Sequence, residues 1–272
     1  MLCWGRAAML GLPRGAPDVA TPRVMSALTD VRAIAASRLN ACALRRDGTL
    51  LCWGANDNIQ AYDPGFVGVP TVVTELGGVT EVAVGASHRC VRLATGAVRC
   101  WGYGQAGRLG TGDERSQSSP TPVAGLPPGA SVTAIGAGLS SGCAVVDGRA
   151  RCWGASEIAR TMRFALAPAA AIEGLSDVRA FAMDVIACAL DGVGAVRCWG
   201  PNREGALGTG DTVTPMNPLP PVGLRAVATI ATQGSTTCAI EGGAVLCWGA
   251  NGEGTVGDGT TTPRYVPVRV VF

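Results

Sequence analysis

The stretch His88-Arg-Cys90-Val-Arg-Leu-Ala94-Thr-Gly96-Ala-Val-Arg-Cys100-Trp-Gly102 reads as two short strands around a turn that ends in glycine. A three-residue hairpin loop wants glycine at its third, left-handed position, and Ala94-Thr95-Gly96 supplies it. Counting outward from that turn, Cys90 and Cys100 fall opposite each other at a non-hydrogen-bonded pair, where side chains approach closest. The pattern recurs. All six tryptophans stand in one tripeptide, Cys-Trp-Gly, whose cysteines are Cys3, Cys52, Cys100, Cys152, Cys198 and Cys247, spaced 49, 48, 52, 46 and 49 residues apart. The other five cysteines, Cys42, Cys90, Cys143, Cys188 and Cys238, each precede a Cys-Trp-Gly cysteine by 9 or 10 residues. Where the spacing is 10 the loop is Arg46-Asp47-Gly48, Ala94-Thr95-Gly96 or Gly192-Val193-Gly194; where it is 9, Asp147-Gly148 or Gly242-Gly243 makes a two-residue turn. The one-residue change in spacing is matched by a one-residue change in loop, so the cysteines stay opposed.

The remainder of each repeat is also strand. Ahead of the first cysteine lie Val31-Arg-Ala-Ile34-Ala, Val79-Thr-Glu-Val82-Ala, Val132-Thr-Ala-Ile135-Gly, Val178-Arg-Ala-Phe181-Ala and Val227-Ala-Thr-Ile230-Ala, short β-branched runs bounded by turn residues. After Cys-Trp-Gly comes a loop and then a proline-flanked apolar run such as Pro70-Thr-Val-Val73, Pro120-Thr-Pro-Val123 or Pro267-Val-Arg-Val270. Proline there suits a sheet edge, where a missing N–H costs no ladder bond. Each repeat is therefore four strands, A to D, with no long amphipathic helix. The chain is expected to be all-β: a single β-propeller domain of four-stranded blades over 1–272, with repeats at about 1–30 (partial), 31–78, 79–131, 132–177, 178–226 and 227–272. A linear β-solenoid is the alternative, disfavoured because solenoid repeats are commonly shorter, on the order of 20–30 residues. Residue 1 falls just before a C strand and residue 272 just after a D strand. The expectation is therefore an open or truncated ring whose first A and B strands, and any leader, lie upstream; a complete ring is expected to be a monomer.

Composition excludes much. Charged residues are 15% of the chain and the net charge is +2, with no basic run beyond Arg45-Arg46, which argues against nucleic acid as the partner. No stretch approaches the roughly 18–20 apolar residues of a membrane helix. All 22 basic residues are arginine, so there is no P-loop or Schiff-base lysine. A single histidine, His88, removes multi-histidine metal sites and most histidine-based catalytic arrays.

The loops after Cys-Trp-Gly carry a resemblance. Gly104-Gln-Ala-Gly107-Arg-Leu-Gly110-Thr-Gly112-Asp113, Glu204-Gly205-Ala-Leu-Gly208-Thr-Gly210-Asp211 and Glu253-Gly254-Thr-Val-Gly257-Asp-Gly259, followed by Pro-x-x-Val, resemble the regulator of chromosome condensation repeat. Neither a Trp-Asp dipeptide nor a kelch double glycine recurs. The resemblance spans essentially the whole chain and implies a bladed propeller, and the cysteine variant is similar to the bacterial, secreted branch. The loops after Gly5, Gly54 and Gly154 depart from the glycine-rich pattern. The family's strand B often carries a histidine two residues before the cysteine position; only His88 does so here, its counterparts being Asn40, Ser141, Ile186 and Thr236.

Five cross-strand disulfides are expected: Cys42–Cys52, Cys90–Cys100, Cys143–Cys152, Cys188–Cys198 and Cys238–Cys247, with Cys3 unpaired. Reduced thiols serving as small apolar residues are the alternative. Disulfides imply an oxidising compartment: extracellular, periplasmic or cell surface. Cysteine and the next residue point to opposite strand faces. Trp4, Trp53, Trp101, Trp153, Trp199 and Trp248 are accordingly expected to pack between blades, each against the disulfide of its neighbour, rather than to form a light-sensing cluster. A His88–Cys90 dyad is formally possible, but a repeat-position histidine beside a bonded cysteine is the plainer reading. The glycine-rich loops lead into strands rather than helix N-termini, so they are poor phosphate cradles. Asp113, Asp211 and Asp258 could hold calcium, though turn capping explains them. No cofactor, metal or catalytic residue is expected. The function expected is a non-catalytic protein-binding scaffold of unidentified partner. Its anchors would be the aromatic and arginine residues in the off-pattern loops: Tyr62, Phe66, Arg160, Arg163 and Phe164. The alternative is a guanine-nucleotide exchange factor for a small GTPase. Alkylation of the intact protein without reduction should label one cysteine and leave ten protected; labelling of all 11 by mass spectrometry would remove the disulfides and the compartment inferred from them.

Overall fold

A computed structural model describes residues 1–13, 15–37, 40–54, 67–154, 166 and 171–271. It is all-β, and the helical content among the described residues is two short 3-10 turns, Ala7–Leu10 and Gln105–Gly107. The first sheet pairs β1 (Leu2–Gly5) with β2 (Val19–Val24). The second runs β3 (Val31–Ala36), β4 (Asn40–Arg45), β5 (Leu50–Gly54), β6 (Val67–Val72). The third runs β7 (Val79–Val84), β8 (His88–Leu93), β9 (Val98–Gly102), β10 (Gln117–Pro122). Three described strands make the fourth sheet, β11 (Val132–Ala137), β12 (Ser141–Val146) and β13 (Arg149–Gly154). Three make the fifth, β14 (Val178–Met183), β15 (Ala187–Asp191) and β16 (Val196–Trp199). The sixth is β17 (Val227–Gln233), β18 (Thr236–Glu241), β19 (Ala244–Gly249), β20 (Arg264–Arg269). Every pairing is antiparallel between neighbours in sequence, and the first strands β3, β7, β11, β14 and β17 contact one another in succession. This is the packing of propeller blades around an axis. Among the described residues no helix is long and apolar enough to cross a membrane.

The hairpin chemistry follows the turn residues. Gly48, Gly96 and Gly194 sit at φ of +86°, +81° and +85°, the left-handed third position of three-residue loops. Asp147-Gly148 and Gly242-Gly243 have positive φ at both residues, as a type I′ turn requires. In every hairpin the cysteines are register partners, with Cα–Cα distances of 4.1, 4.2, 4.0, 4.1 and 4.1 Å, and all five pairs are disulfide bonds. Cys3 is free and half-buried.

The blades meet through these bonds. Cys42 and Cys52 share a core with Trp101, Cys90 and Cys100 with Trp153, Cys143 and Cys152 with Trp199, and Cys188 and Cys198 with Trp248. In each case the disulfide of one sheet lies under the indole of the next. Trp53 packs on the first sheet, with Leu10, Met25 and Leu28, beside the half-buried Cys3. The indole is also tied by hydrogen bonding: Trp153 Nε1 donates to Arg108 O (3.0 Å) and Trp248 Nε1 to Ala206 O (2.8 Å). Both acceptors lie in the glycine-rich loop of the preceding repeat. Glycine is needed where that loop touches the ring, since a Cβ on Gly110 would lie 2.8 Å from the Trp153 indole. One expectation fails: Trp4 is 61% exposed and does not pack between blades. The indoles of Trp101, Trp153, Trp199 and Trp248 are each covered by the sheet before them, and no described sheet covers Trp4 in that way.

Glycine-rich spelling proves unnecessary in the first repeat. Residues Ala7–Leu10 form a 3-10 turn, Gly11 follows at φ +71°, and a Cβ there would lie 3.1 Å from Trp53, so an off-pattern loop presents the same surface as Leu109-Gly110. Trp199→Ala should cost about 3–5 kcal/mol of unfolding free energy in urea titration, as deletion of a buried indole does. Trp4→Ala should stay within about 0.5 kcal/mol. Equal losses would contradict this division.

Candidate protein-binding face

The turns between the first and second strands of five sheets converge at one end of the axis. They enclose a cavity of about 40 Å³, lined among others by Ser37, Gly85, Gly138, Asp184, Thr232 and Gln233. That is room for a few waters or one small polar group. Successive turns hold hands across the blades: Asn40 Nδ2 donates to Ala86 O (3.3 Å), Ala86 N to Gly138 O (3.3 Å), and Leu139 N to Asp184 O (2.9 Å). Asp184 Oδ2 accepts from Gly234 N (2.6 Å) and Gln233 Nε2 (3.3 Å) of the last sheet. These turns have to be small, because a Cβ on Gly85 would lie 2.4 Å from Gly138 O.

The described lining of the recess includes one carboxylate and two hydroxyls. Asp184 makes no ion pair among the described residues, and the Oγ of Ser37 and Oγ1 of Thr232 are buried without a hydrogen-bond partner there. Below the rim His88 is wholly buried and neither ring nitrogen meets a partner in hydrogen-bond geometry. Burial, with the Arg108 guanidinium next in weight, pushes its pKa down to about 3; the Ser141 backbone opposes this, and Arg89 adds the least to it. His88 is therefore a neutral spacer between blades, not half of a dyad: Cys90 is bonded to Cys100. Arg89, buried beside it, donates to Asn40 Oδ1 (2.8 Å).

The aspartates of the glycine-rich loops are taken up by their own turns. Asp211 Oδ1 accepts from Val213 N (3.2 Å) and Thr209 Oγ1 (2.9 Å), and Asp258 Oδ1 from Thr260 N (3.0 Å). At the centre of the loops that follow Trp199 and Trp248 lies a fully buried asparagine that motif reading passed over. Asn202 Nδ2 lies 3.1 Å from Thr209 Oγ1, Asp211 O and Val213 O, and its Oδ1 accepts from Leu207 N (3.0 Å). Asn251 repeats this with Thr260 O and Thr262 O at 3.0 Å and Val256 N at 2.9 Å. The shared spelling Trp-Gly-x-Asn at Trp199 and Trp248 was the available signal. Among the described residues no three His, Cys, Asp or Glu side chains gather as a metal site. Tyr62, Phe66, Arg160, Arg163 and Phe164 lie outside the described residues.

Sequence profiles of the regulator of chromosome condensation (RCC1) repeat match residues 31–60 and 79–108, and a second profile of that repeat matches 95–145. A search of curated protein sequences finds no match. Among solved structures the chain is similar to human WBSCR16, with a TM-score of 0.84 at 23% identity over 100% of this chain and 75% of that one. It is also similar to Prp20p of Saccharomyces cerevisiae, described with its binding to Gsp1p and histones (TM-score 0.71, 17% identity, 100% and 85% coverage). The CRINKLY ectodomain of the Arabidopsis thaliana receptor kinase ACR4 matches with a TM-score of 0.51, at 17% identity over 93% of this chain and 71% of that one.

The low pKa of His88 sets a pH dependence. The folded state holds the ring neutral down to about pH 3, whereas the unfolded chain protonates near 6.5. Its contribution is therefore complete above about pH 6.5 and is lost as pH falls toward 3, an effect on the order of a few kcal/mol. His88→Asn, which borrows the residue of the second repeat, should remove that part of the acid sensitivity. The check is the difference in unfolding free energy between the two proteins from pH 7 to 4: it should change steadily, and a pH-independent difference would contradict burial of a neutral ring.

Proposed function

We propose that this chain, which carries RCC1 repeats, is a non-catalytic scaffold that binds a protein partner at the end of its axis where the turns converge on Asp184. The observation that supports the reading is the recess itself: among the described residues, a carboxylate with no ion pair and two hydroxyls without a hydrogen-bond partner, held by a hydrogen-bonded rim to which five sheets contribute. Such a surface suits a basic or amide side chain projecting from a partner. The five disulfides favour an oxidising compartment outside the cytoplasm. Use of this fold as a receptor-kinase ectodomain is compatible with that compartment.

Nucleotide exchange on a small GTPase is the second reading. Prp20p, which shares the fold, is described as binding Gsp1p. A fold alone does not carry an activity, and a reducing cytoplasm or nucleus would not preserve five disulfides.

Affinity capture with the purified oxidised protein, followed by cross-linking mass spectrometry, tests the scaffold reading. Cross-links to the partner should cluster around the turns that hold Ser37, Asp184 and Gln233. Asp184→Ala should weaken the partner at least about tenfold, the usual effect of removing one anchor. Cross-links confined to the opposite end, with Asp184→Ala neutral, would refute this face, and GTPase-dependent nucleotide release by the oxidised protein would favour the second reading.

A further inference from the structure

Four of the disulfides lie under the indole of the following sheet, and the fifth does not. In the sixth sheet Cys238 is half-buried, whereas Cys42, Cys90, Cys143 and Cys188 are at most 1% exposed. The side chains beside the bond behave alike. Ile240, two residues after Cys238, is 37% exposed, and its counterparts Leu44, Val145 and Leu190 are at most 2% exposed. Val245, two residues before Cys247, is half-buried, and its counterparts Leu50, Val98, Ala150 and Val196 are buried. Strand alternation puts all of these on the face that carries the disulfide.

The glycine-rich loop of the same repeat completes an indole seat. A Cβ on Gly110 or Gly208 would lie 2.8 Å from the ring of Trp153 or Trp248, and the carbonyl two residues earlier, of Arg108 or Ala206, accepts the indole N–H. Thr255-Val256-Gly257 stands at the same place, with Gly257 at φ +73° beside +67° for Gly110 and +70° for Gly208. A Cβ on Gly257 would meet Val270 at 3.0 Å and no ring. Thr255 is exposed, whereas Arg108 and Ala206 are buried. Disulfide, apolar flank, left-handed glycine and carbonyl are all in position, and among the described residues no indole lies on them. The first sheet holds such an indole. Cys3 faces the second sheet, so alternation sends Leu2 and Trp4 the other way, and Val24, the register partner of Leu2, shares their side. These three are 56, 61 and 68% exposed.

We propose that the sixth sheet is a docking site for the first sheet of a second copy of this chain, with Trp4 of that copy laid over the Cys238–Cys247 bond. The occupant follows from the contacts inside the molecule. Four interfaces pair an indole with the disulfide of the sheet before it, and the two faces left open are the two halves of that same pairing. Removing Leu2, Trp4, Val24, Ile240 and Val245 from water drives the association. The halves differ, so the contact is heterologous: each copy in a pair still offers one free indole or one free seat, and copies add in succession rather than stopping at a twofold dimer. The recess around Asp184 takes no part, so the inference does not depend on what binds there.

The test is sedimentation velocity of the oxidised full chain, carried as Cys3→Ser so that no free thiol links copies. The average mass should rise with concentration past that of a dimer. Trp4→Ala should weaken association at least about tenfold, and so should Ile240→Arg on the other half of the contact. Val193→Ser, at an exposed turn of the fifth sheet, should leave it unchanged. Mixing the two weakened variants separates this contact from a symmetric one. Trp4→Ala keeps the seat and Ile240→Arg keeps the indole, so each alone should be monomeric where the parent associates, while an equimolar mixture forms a one-to-one pair that grows no further. The three substituted positions are exposed, so an unchanged melting temperature establishes that the variants fold. A parent that stays monomeric at every concentration would overturn the proposal. So would association of either variant as strong as the parent's, or a mixture no larger than its parts.

Discussion

Everything else in the molecule depends on an indole lying over a disulfide. Cys-Trp-Gly works because a strand sends successive side chains to opposite faces. The cysteine closes its own hairpin on one face, and the tryptophan reaches the preceding blade on the other. The glycine, at φ from +90° to +122° in all six copies, turns the chain out of the strand. In Gly249 a Cβ would lie 2.0 Å from Ser235 O, so no larger residue fits where the chain passes the turn of its own sheet. A short sheet with one apolar face would be marginal alone. Here each face is covered by the next repeat, and the covering is repeated almost unchanged through Trp101, Trp153, Trp199 and Trp248.

Polar stitches accompany this packing without replacing it. Arg32 donates to Val79 O and Thr80 O, and Arg179, at the same place in its repeat, to Val227 O and Ala228 O. Glu81 pairs with Arg92 in its own sheet and accepts from Ile135 N in the next (3.2 Å). With the blades fixed by apolar contacts and disulfides, the turns at one end and the edges at the rim are free to vary. The recess around Asp184, proposed for binding, lies among those turns.

The sequence made the blades legible because their signals are local. Alternation, β-branched runs, the nine- and ten-residue cysteine spacings and the matching turn types specify strand, register and bond together. What it hid is not local. The recess gathers Ser37, Gly85, Gly138, Asp184 and Gln233, which share no residue type and come together only when the sheets stand around an axis. The edge of the fifth repeat resembles the others in spelling, yet it pairs with its sheet only through Leu219 and Cys198. Trp4 carries the motif but is exposed, because an indole's cover comes from a neighbouring repeat and not from the tripeptide itself. Asn202 and Asn251 were overlooked because the glycines around them drew attention to the loop rather than to the residue filling it.

A double-mutant cycle probes the coupling of disulfide to indole most directly. Unfolding free energies would be measured for the Cys143→Ala, Cys152→Ala pair, for Trp199→Ala, and for the two combined, with Trp101→Ala as the control indole that covers a different disulfide. The account predicts an interaction energy of about 1 kcal/mol or more between the Cys143–Cys152 bond and Trp199, and additivity within about 0.5 kcal/mol with Trp101. Additivity with both indoles would contradict it, because the disulfides would then stabilise each hairpin alone and the blades would be joined by something else.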